Sequence, residues 1–250
     1  MKEAFENYVK KYNMKDPDIE YKYKHSYRVM ALAKDLAIKL ELNEKDIELA
    51  TIIGLYHDIG RFEEDKRFDS FGIHNNFDHG DYGRDVLLKE NVIKDIPIEN
   101  KYYKLIGKAV ETHNKYAIEE GLDKKTNLHC KIIRDADKID IIWSASKGIM
   151  TKKAFNEKAK AIEMSEEVKK QFYNNVQIVK RKKSKHSDAN KIICFLALVY
   201  DINFDESIKY LVENKIIDNL YEFIEDKEGY KKYFNHIKEY LEKRYKNVRN

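Results

Sequence analysis

The residues of this chain best suited to chemistry are imidazoles and carboxylates set at helical spacing among apolar neighbours. Positions four apart lie on one face of an α-helix, and positions seven apart nearly so. By that rule His25 shares a face with Val29 and Leu32, and His57 with Ile53 and Ala50. His79 falls with Gly83 and Val86, His113 with Ala109 and Ile106, and Asp137 with Ile133 and Ile141. A single inward histidine is ordinarily a hydrogen-bonded core residue, and a single inward carboxylate ordinarily pairs with a base. Several together are harder to explain that way, because each unpaired polar group taken out of water costs about 2 kcal/mol or more. A shared divalent cation removes that cost by coordination. Imidazole and carboxylate donors suit iron, manganese, zinc or nickel rather than calcium.

The adjacent pair His57-Asp58 constrains the geometry. Neighbours on a helix point about 100° apart, so both reach one ion only if it lies between them near a helix end. Gly60 is expected to mark that end. Asp58, with two carboxylate oxygens, then chelates one ion or bridges two.

These residues need elements to position them, and helical period runs almost throughout. An amphipathic helix is expected over residues 2–13, stopped near Asp16-Pro17, and a second over 23–40. Asn43 is suited to cap a third helix, with Asp46 in its first turn; this helix carries Ile47, Ala50, Ile53 and His57. Residues 61–78 lose the period and read as a loop. Helices follow over 79–89, 101–117 and 125–143, and the pattern stays helical beyond Lys147.

With only 9 Gly and 2 Pro in 250 residues, the turn punctuation of sandwiches and barrels is lacking. The fold class is therefore all-α. Residues 1–147 are expected to form a catalytic helical bundle, and residues 148–250 a C-terminal helical extension packed on it as one continuous globular unit. A formal charge of +4, set against 48 basic and 44 acidic residues, gives no case for a dedicated nucleic-acid binder. The charged N-terminus lacks an apolar signal core, and no apolar run is long enough for a bilayer. Cys130 and Cys194 read as buried reduced thiols, so a cytoplasmic protein is expected, with no membrane partner. Oligomeric state is left open.

The order His25, His57-Asp58, Asp137 resembles the signature of the HD superfamily of metal-dependent phosphohydrolases. The context is similar too: SYRVMALAKDLA after the first histidine, then LATIIGLYHDIGRFE, then CKIIRDADKIDII. The resemblance covers roughly residues 20–145 and implies an HD-domain helical bundle with His25, His57, Asp58 and Asp137 around a first metal. His79 in FDHGDYG and His113 in VETHNK fall between, as in HD members that hold two metals, such as the HD-type cyclic dinucleotide phosphodiesterases. That likeness implies that His79 and His113 complete a second site and that Asp58 bridges. Departures limit the transfer of substrate. His113-Asn114 stands where those enzymes have paired histidines, and their GYP motif is missing. So are the charged residues that follow the HD pair in stringent-response hydrolases. A bacterial group of unassigned substrate is more similar, with HDIGRFE, DHxxxG, THN and RDADKID segments. VYDINF at 199–204 extends that likeness.

The implied chemistry is hydrolysis of a small phosphorylated substrate by a metal-activated water, with one or two divalent transition metals as cofactor. Phosphomonoesters and phosphodiesters both qualify, nucleotides among them, and no organic cofactor is called for. Asp58 and Arg61 are the catalytic candidates. Arg61, one turn after His57, can meet phosphate oxygens or pair with Glu63 or Glu64. Asp140 is expected to partner a ligand imidazole or Arg134. The stretch from Phe68 to Phe77, with His74, is either a nucleobase-contacting or a plain surface loop. His74, His129, His186 and His236 read as ordinary. The basic run Lys180–Lys183 with Lys185 is a solvated segment or, through Lys183 or Lys185, a phosphate clamp. Two other readings stand beside hydrolysis: a nucleotide- or signal-binding HD regulator without turnover, and a structural protein whose histidines are merely buried.

Overall fold

The computed structural model describes residues 1–69, 77–151, 154–178 and 188–249, and among them the fold is all-α. The expected contacts of His74 and the basic run Lys180–Lys185, and the reading of His186, lie outside the described residues. The chain divides into two compact units, Met1–Asp137 and Lys138–Asn250.

In the first unit, α1 (Lys2–Val9) lays Phe5 among Tyr23, Tyr27, Tyr56 and Phe62, with ring centroids 5.5 to 6.2 Å away. Then α2 (Pro17–Lys39) begins well before Tyr23, because Asp16-Pro17 starts a helix rather than stopping one. The Asp16 carboxylate accepts from the Asp18 amide, and proline suits the first helical position, where its missing N–H leaves nothing unsatisfied. Asn43 caps α3 (Glu44–Tyr56) reciprocally: its Oδ1 accepts from the Asp46 amide at 3.0 Å, and its Nδ2 donates to Asp46 Oδ2 at 2.7 Å.

Helix α3 stops at Tyr56, not at Gly60. His57 is its C-cap, and Asp58 is the N-cap of α4 (Ile59–Phe68). Gly60 lies inside α4 for a different reason. A Cβ there would sit 2.1 Å from the His79 carbonyl oxygen, so α4 meets the start of α5 (His79–Leu88) with no room for a side chain. Residues 61–68, expected to be loop, are thus the body of α4, which ends at Asp69 in a left-handed conformation (φ 48°).

A short 3-10 turn leads into α6 (Tyr103–Thr112), which ends at the His113 C-cap rather than at Ala117. Helix α7 (Lys124–Ser146) follows and runs across the division between the units. Gly54 sets a second close approach: a Cβ there would lie 2.8 Å from Met30 Cα and 3.0 Å from the Val29 carbonyl oxygen. The backbones of α2 and α3 therefore nearly touch, one helical turn from both His25 and His57.

The second unit holds α8 (Glu166–Tyr173), α9 (Asp188–Ala197), α10 (Asp205–Glu213), α11 (Ile216–Phe223) and α12 (Lys227–Arg249). Its core is aromatic: Phe172, Tyr230, Tyr233 and Phe234 are all buried. Within this unit Lys138 and Asp201 form an ion pair at 2.7 Å. No helix among the described residues is long and apolar enough to cross a membrane.

Candidate metal centre

The expected site residues come together in the first unit. His25 projects from the interior of α2, His57 and Asp58 occupy the α3–α4 junction, His79 opens α5, His113 caps α6 and Asp137 lies on α7. All four histidines are buried, as is Asp58, and the Asp137 side chain keeps 13% exposure. Their rings form a row: the His25–His57, His57–His113 and His113–His79 centroids are each 5.1 Å apart.

The donor atoms fall into two groups that meet at Asp58. Its Oδ2 lies 3.4 Å from His25 Nε2 and 3.6 Å from His57 Nε2. Asp137 Oδ1 lies 3.1 and 3.5 Å from the same two nitrogens, which are 3.2 Å from each other. The other Asp58 oxygen, Oδ1, is 3.6 Å from His79 Nε2 and 3.3 Å from His113 Nε2, and those nitrogens are 3.2 Å apart. Such spacings are those of atoms that each bind one ion at about 2.1 Å. The overlapping groups His25-His57-Asp58, His57-His113-Asp137 and Asp58-His79-His113 could each hold a metal. A donor set of imidazole and carboxylate fits a divalent transition metal.

The protonation states suit ligation, which requires neutral imidazole and ionised carboxylate. Burial pushes the His57 imidazole down, and burial followed by the Arg61 charge pushes His79 well below the ordinary histidine range. Burial alone would raise the Asp58 carboxyl, but Lys22 and then His57 hold it well below the usual carboxylate range. Burial would likewise raise Asp137, and the adjacent His25 and His57 rings keep it well down.

Arg61 sits at the edge of this centre. Its Nη1 donates to Glu64 Oε2 at 2.5 Å, and its Nε lies 3.7 Å from Asp58 Oδ1. The expected pairing with Glu64 is therefore real, but it is a half-buried pairing beside Asp58 rather than a surface one. Burial opposes the guanidinium charge, and Asp58 and Glu64 more than restore it.

Several supporting residues were not expected. Lys22 donates to Asp58 Oδ2 at 2.7 Å; it stands three residues before His25 on α2, yet lysines are so frequent here that spacing alone gives no signal. Arg134 is bound to backbone. Its guanidinium donates to the carbonyls of Thr112, His113, Lys115 and Tyr116 at 2.6 to 3.3 Å, closing the end of α6 where His113 sits. Asp140 accepts from Ser144 within α7. His129, read as ordinary, is buried and bonds Asp46 Oδ1 at 2.9 Å, joining α7 to the start of α3. His236 bonds Asn175. Neither cysteine is in a disulfide; Cys130 is buried and accepts from Thr112 Oγ1, whereas Cys194 is only half-buried.

An all-helical unit with a histidine on one helix, a His-Asp pair at a helix junction and an aspartate on a later helix is of the class of folds whose donors could hold a metal ion. The model of the HD domain family matches residues 23–142, so this stretch is an HD domain, and members of that superfamily are in general metal-dependent hydrolases. No curated protein and no solved structure matches the chain.

Proposed function

We propose that the chain is a metal-dependent hydrolase of phosphate esters that holds two divalent transition metals, from the set iron, manganese, zinc and nickel. One observation carries this reading: the two oxygens of a single buried carboxylate, Asp58, face two different pairs of imidazole nitrogens. His25, His57 and Asp137 would hold one ion, His79 and His113 the other, with Asp58 spanning both. Ions bound there supply a water of lowered pKa and positive charge for the phosphate oxygens.

The chain's own residues do the rest. The His57 and His79 imidazoles stay neutral and keep their lone pairs available, and the low pKa of Asp58 and Asp137 keeps them ionised at neutral pH. Glu64 aims the Arg61 guanidinium beside Asp58, where it can neutralise charge that builds on phosphate oxygens. The substrate is a small phosphorylated compound, a monoester or diester, with nucleotides among the candidates. Cytoplasmic action fits two cysteines that form no disulfide.

Metal analysis of protein purified without chelator, followed by turnover on a panel of phosphoesters and nucleotides, tests this directly. The expected result is two transition metals per chain and hydrolysis that chelator abolishes and added metal restores. Protein without metal sinks the reading. Metal with nucleotide affinity but no turnover makes the chain an HD regulator instead.

A further inference from the structure

His57 and His113 share a device that His79 lacks. The Nδ1–H of each donates to the carbonyl three residues back, Gly54 O at 2.9 Å and Val110 O at 2.6 Å. That bond fixes the tautomer and leaves the Nε2 lone pair for a cation. His79 is the first residue of α5, so no helical carbonyl lies behind it. Its Nδ1 faces the Asn114 carboxamide instead, with Asn114 Nδ2 at 3.3 Å. The same Nδ2 donates to Asp78 Oδ1 at 3.0 Å, while Asn114 Oδ1 is buried with no hydrogen-bond partner.

The two ends of that carboxamide impose opposite tautomers. With its nitrogen toward the ring, His79 Nδ1 accepts, and the imidazole proton sits on Nε2, which donates to His113 Nε2 at 3.2 Å. His113 can accept there because its own proton is committed to Val110. A half-turn about the Asn114 Cβ–Cγ bond keeps the shape of the group and exchanges oxygen for nitrogen. The oxygen then accepts from His79 Nδ1–H, and the Nε2 lone pair is released. The half-turn reverses the bond with His79 but gives up the one to Asp78 and turns the oxygen toward that carboxylate, so it is favoured only when a cation takes the released Nε2 lone pair. Asp78 keeps the amides of Gly80 and Asp81 and the Lys115 ammonium at 2.9 Å.

We propose that Asn114 is a positioning residue that sets the tautomer of His79, so that rotation of its carboxamide decides whether His79 is offered to the second cation. This rests on the two-metal reading above. The test titrates Mn²⁺ calorimetrically into the full-length wild type, Asn114→Leu and Asn114→Asp. The wild type takes up two ions. Asn114→Leu, with neither donor nor acceptor, weakens the second by about tenfold or more and leaves the first within about twofold. Asn114→Asp keeps an acceptor for the ring N–H but loses the donor to Asp78, and it retains the second ion within about threefold of wild type. A Leu variant that binds both ions like wild type overturns the proposal. So does an Asp variant that fails with Leu, since Asn114 would then serve Asp78. Imidazole ¹⁵N spectra of Zn²⁺-loaded wild type need no variant to fold: the expected proton on His79 is at Nδ1, and one at Nε2 overturns the proposal. A wild type that binds no ion defeats the two-metal reading along with this one, whereas two ions in every variant defeat this one alone.

Discussion

His25 and Asp137 stand within 23-residue helices, whereas His79 opens a ten-residue helix and His113 sits just past the end of another. The first pair inherits its placement from packing. Val29 and Ala33 beside His25, and Ile133 and Ala136 beside Asp137, are essentially without exposure. The second pair depends on hydrogen bonds that fasten helix ends: Asp78 caps α5, Asn114 meets His79, and Arg134 closes α6. Side chains in the body of a packed helix move only if the core moves, while those at a helix end move when an end bond is exchanged. The donors facing Asp58 Oδ2 should therefore form the tight site, and those facing Oδ1 the adjustable one.

Asp58 belongs to both sides, so its loss should have the largest effect. Asp58→Asn leaves one oxygen and removes the charge shared by the two groups. Turnover should drop at least ~10³-fold, about 4 kcal/mol of transition-state stabilisation, and metal analysis should show both ions weakened. A variant that kept two ions at full affinity would separate the groups and break the comparison at its root.

The contrast itself is read by removing one histidine from each side. His25→Ala should strip the tight site, with loss of affinity of about 100-fold or more, whereas His79→Ala should keep one ion and weaken the other by about tenfold. Competition with a calibrated chelator measures both. The opposite ranking would mean that packing within long helices does not set ligand rigidity here.

Arg134 tests the helix-end side without touching a donor atom. Arg134→Met removes a buried cation that satisfies carbonyls at residues 112, 113, 115 and 116. Charged hydrogen bonds are worth about 1.5–3 kcal/mol each and do not add, so a loss of about 3 kcal/mol is expected. For a chain of this size that lowers Tm by about 10 °C. The ion on the Oδ1 side should weaken while the Oδ2 side keeps its affinity, and equal weakening of both would show a general loss of fold.

These supports explain what was legible in the sequence. His25, His57, His79, His113 and Asp137 stand out because an ionisable type on an apolar helical face is a local contradiction. The structure brings them together with Asp58 as that contradiction requires. Arg134 could not be read the same way, since its partners are backbone carbonyls, which every residue carries. Lys22 was hidden among the chain's many lysines. Gly60 misled because a glycine kept for close approach looks the same, in one dimension, as a glycine that ends a helix. The true helix break, at Tyr56-His57-Asp58, has neither Gly nor Pro to announce it.

The smallest predicted effect lies away from both donor groups, at the bond between His129 and Asp46, and it serves as the control. Burial pushes the His129 imidazole below its ordinary value, although the Asp46 carboxylate partly restores it. Between the unfolded histidine value of about 6.5 and the lower folded one, the unfolded chain binds a proton that the folded chain does not. The contribution of His129 to stability is thus full above that window and declines as pH falls through it. Asp46 is also held below its usual range: burial would raise it, but His129 and Lys125 outweigh burial, so its own contribution is lost only at more acidic pH. Denaturant titrations from pH 8 to pH 5 should show the wild type losing stability through this interval. His129→Gln, which keeps a donor for Asp46 without an ionisable ring, should show a shallower loss while both metal affinities stay unchanged at pH 7.5. An equally steep loss in the variant would place the acid sensitivity in the metal-centre histidines instead. The two sides of Asp58 would then have to be compared at fixed pH before their difference could be assigned to helix packing.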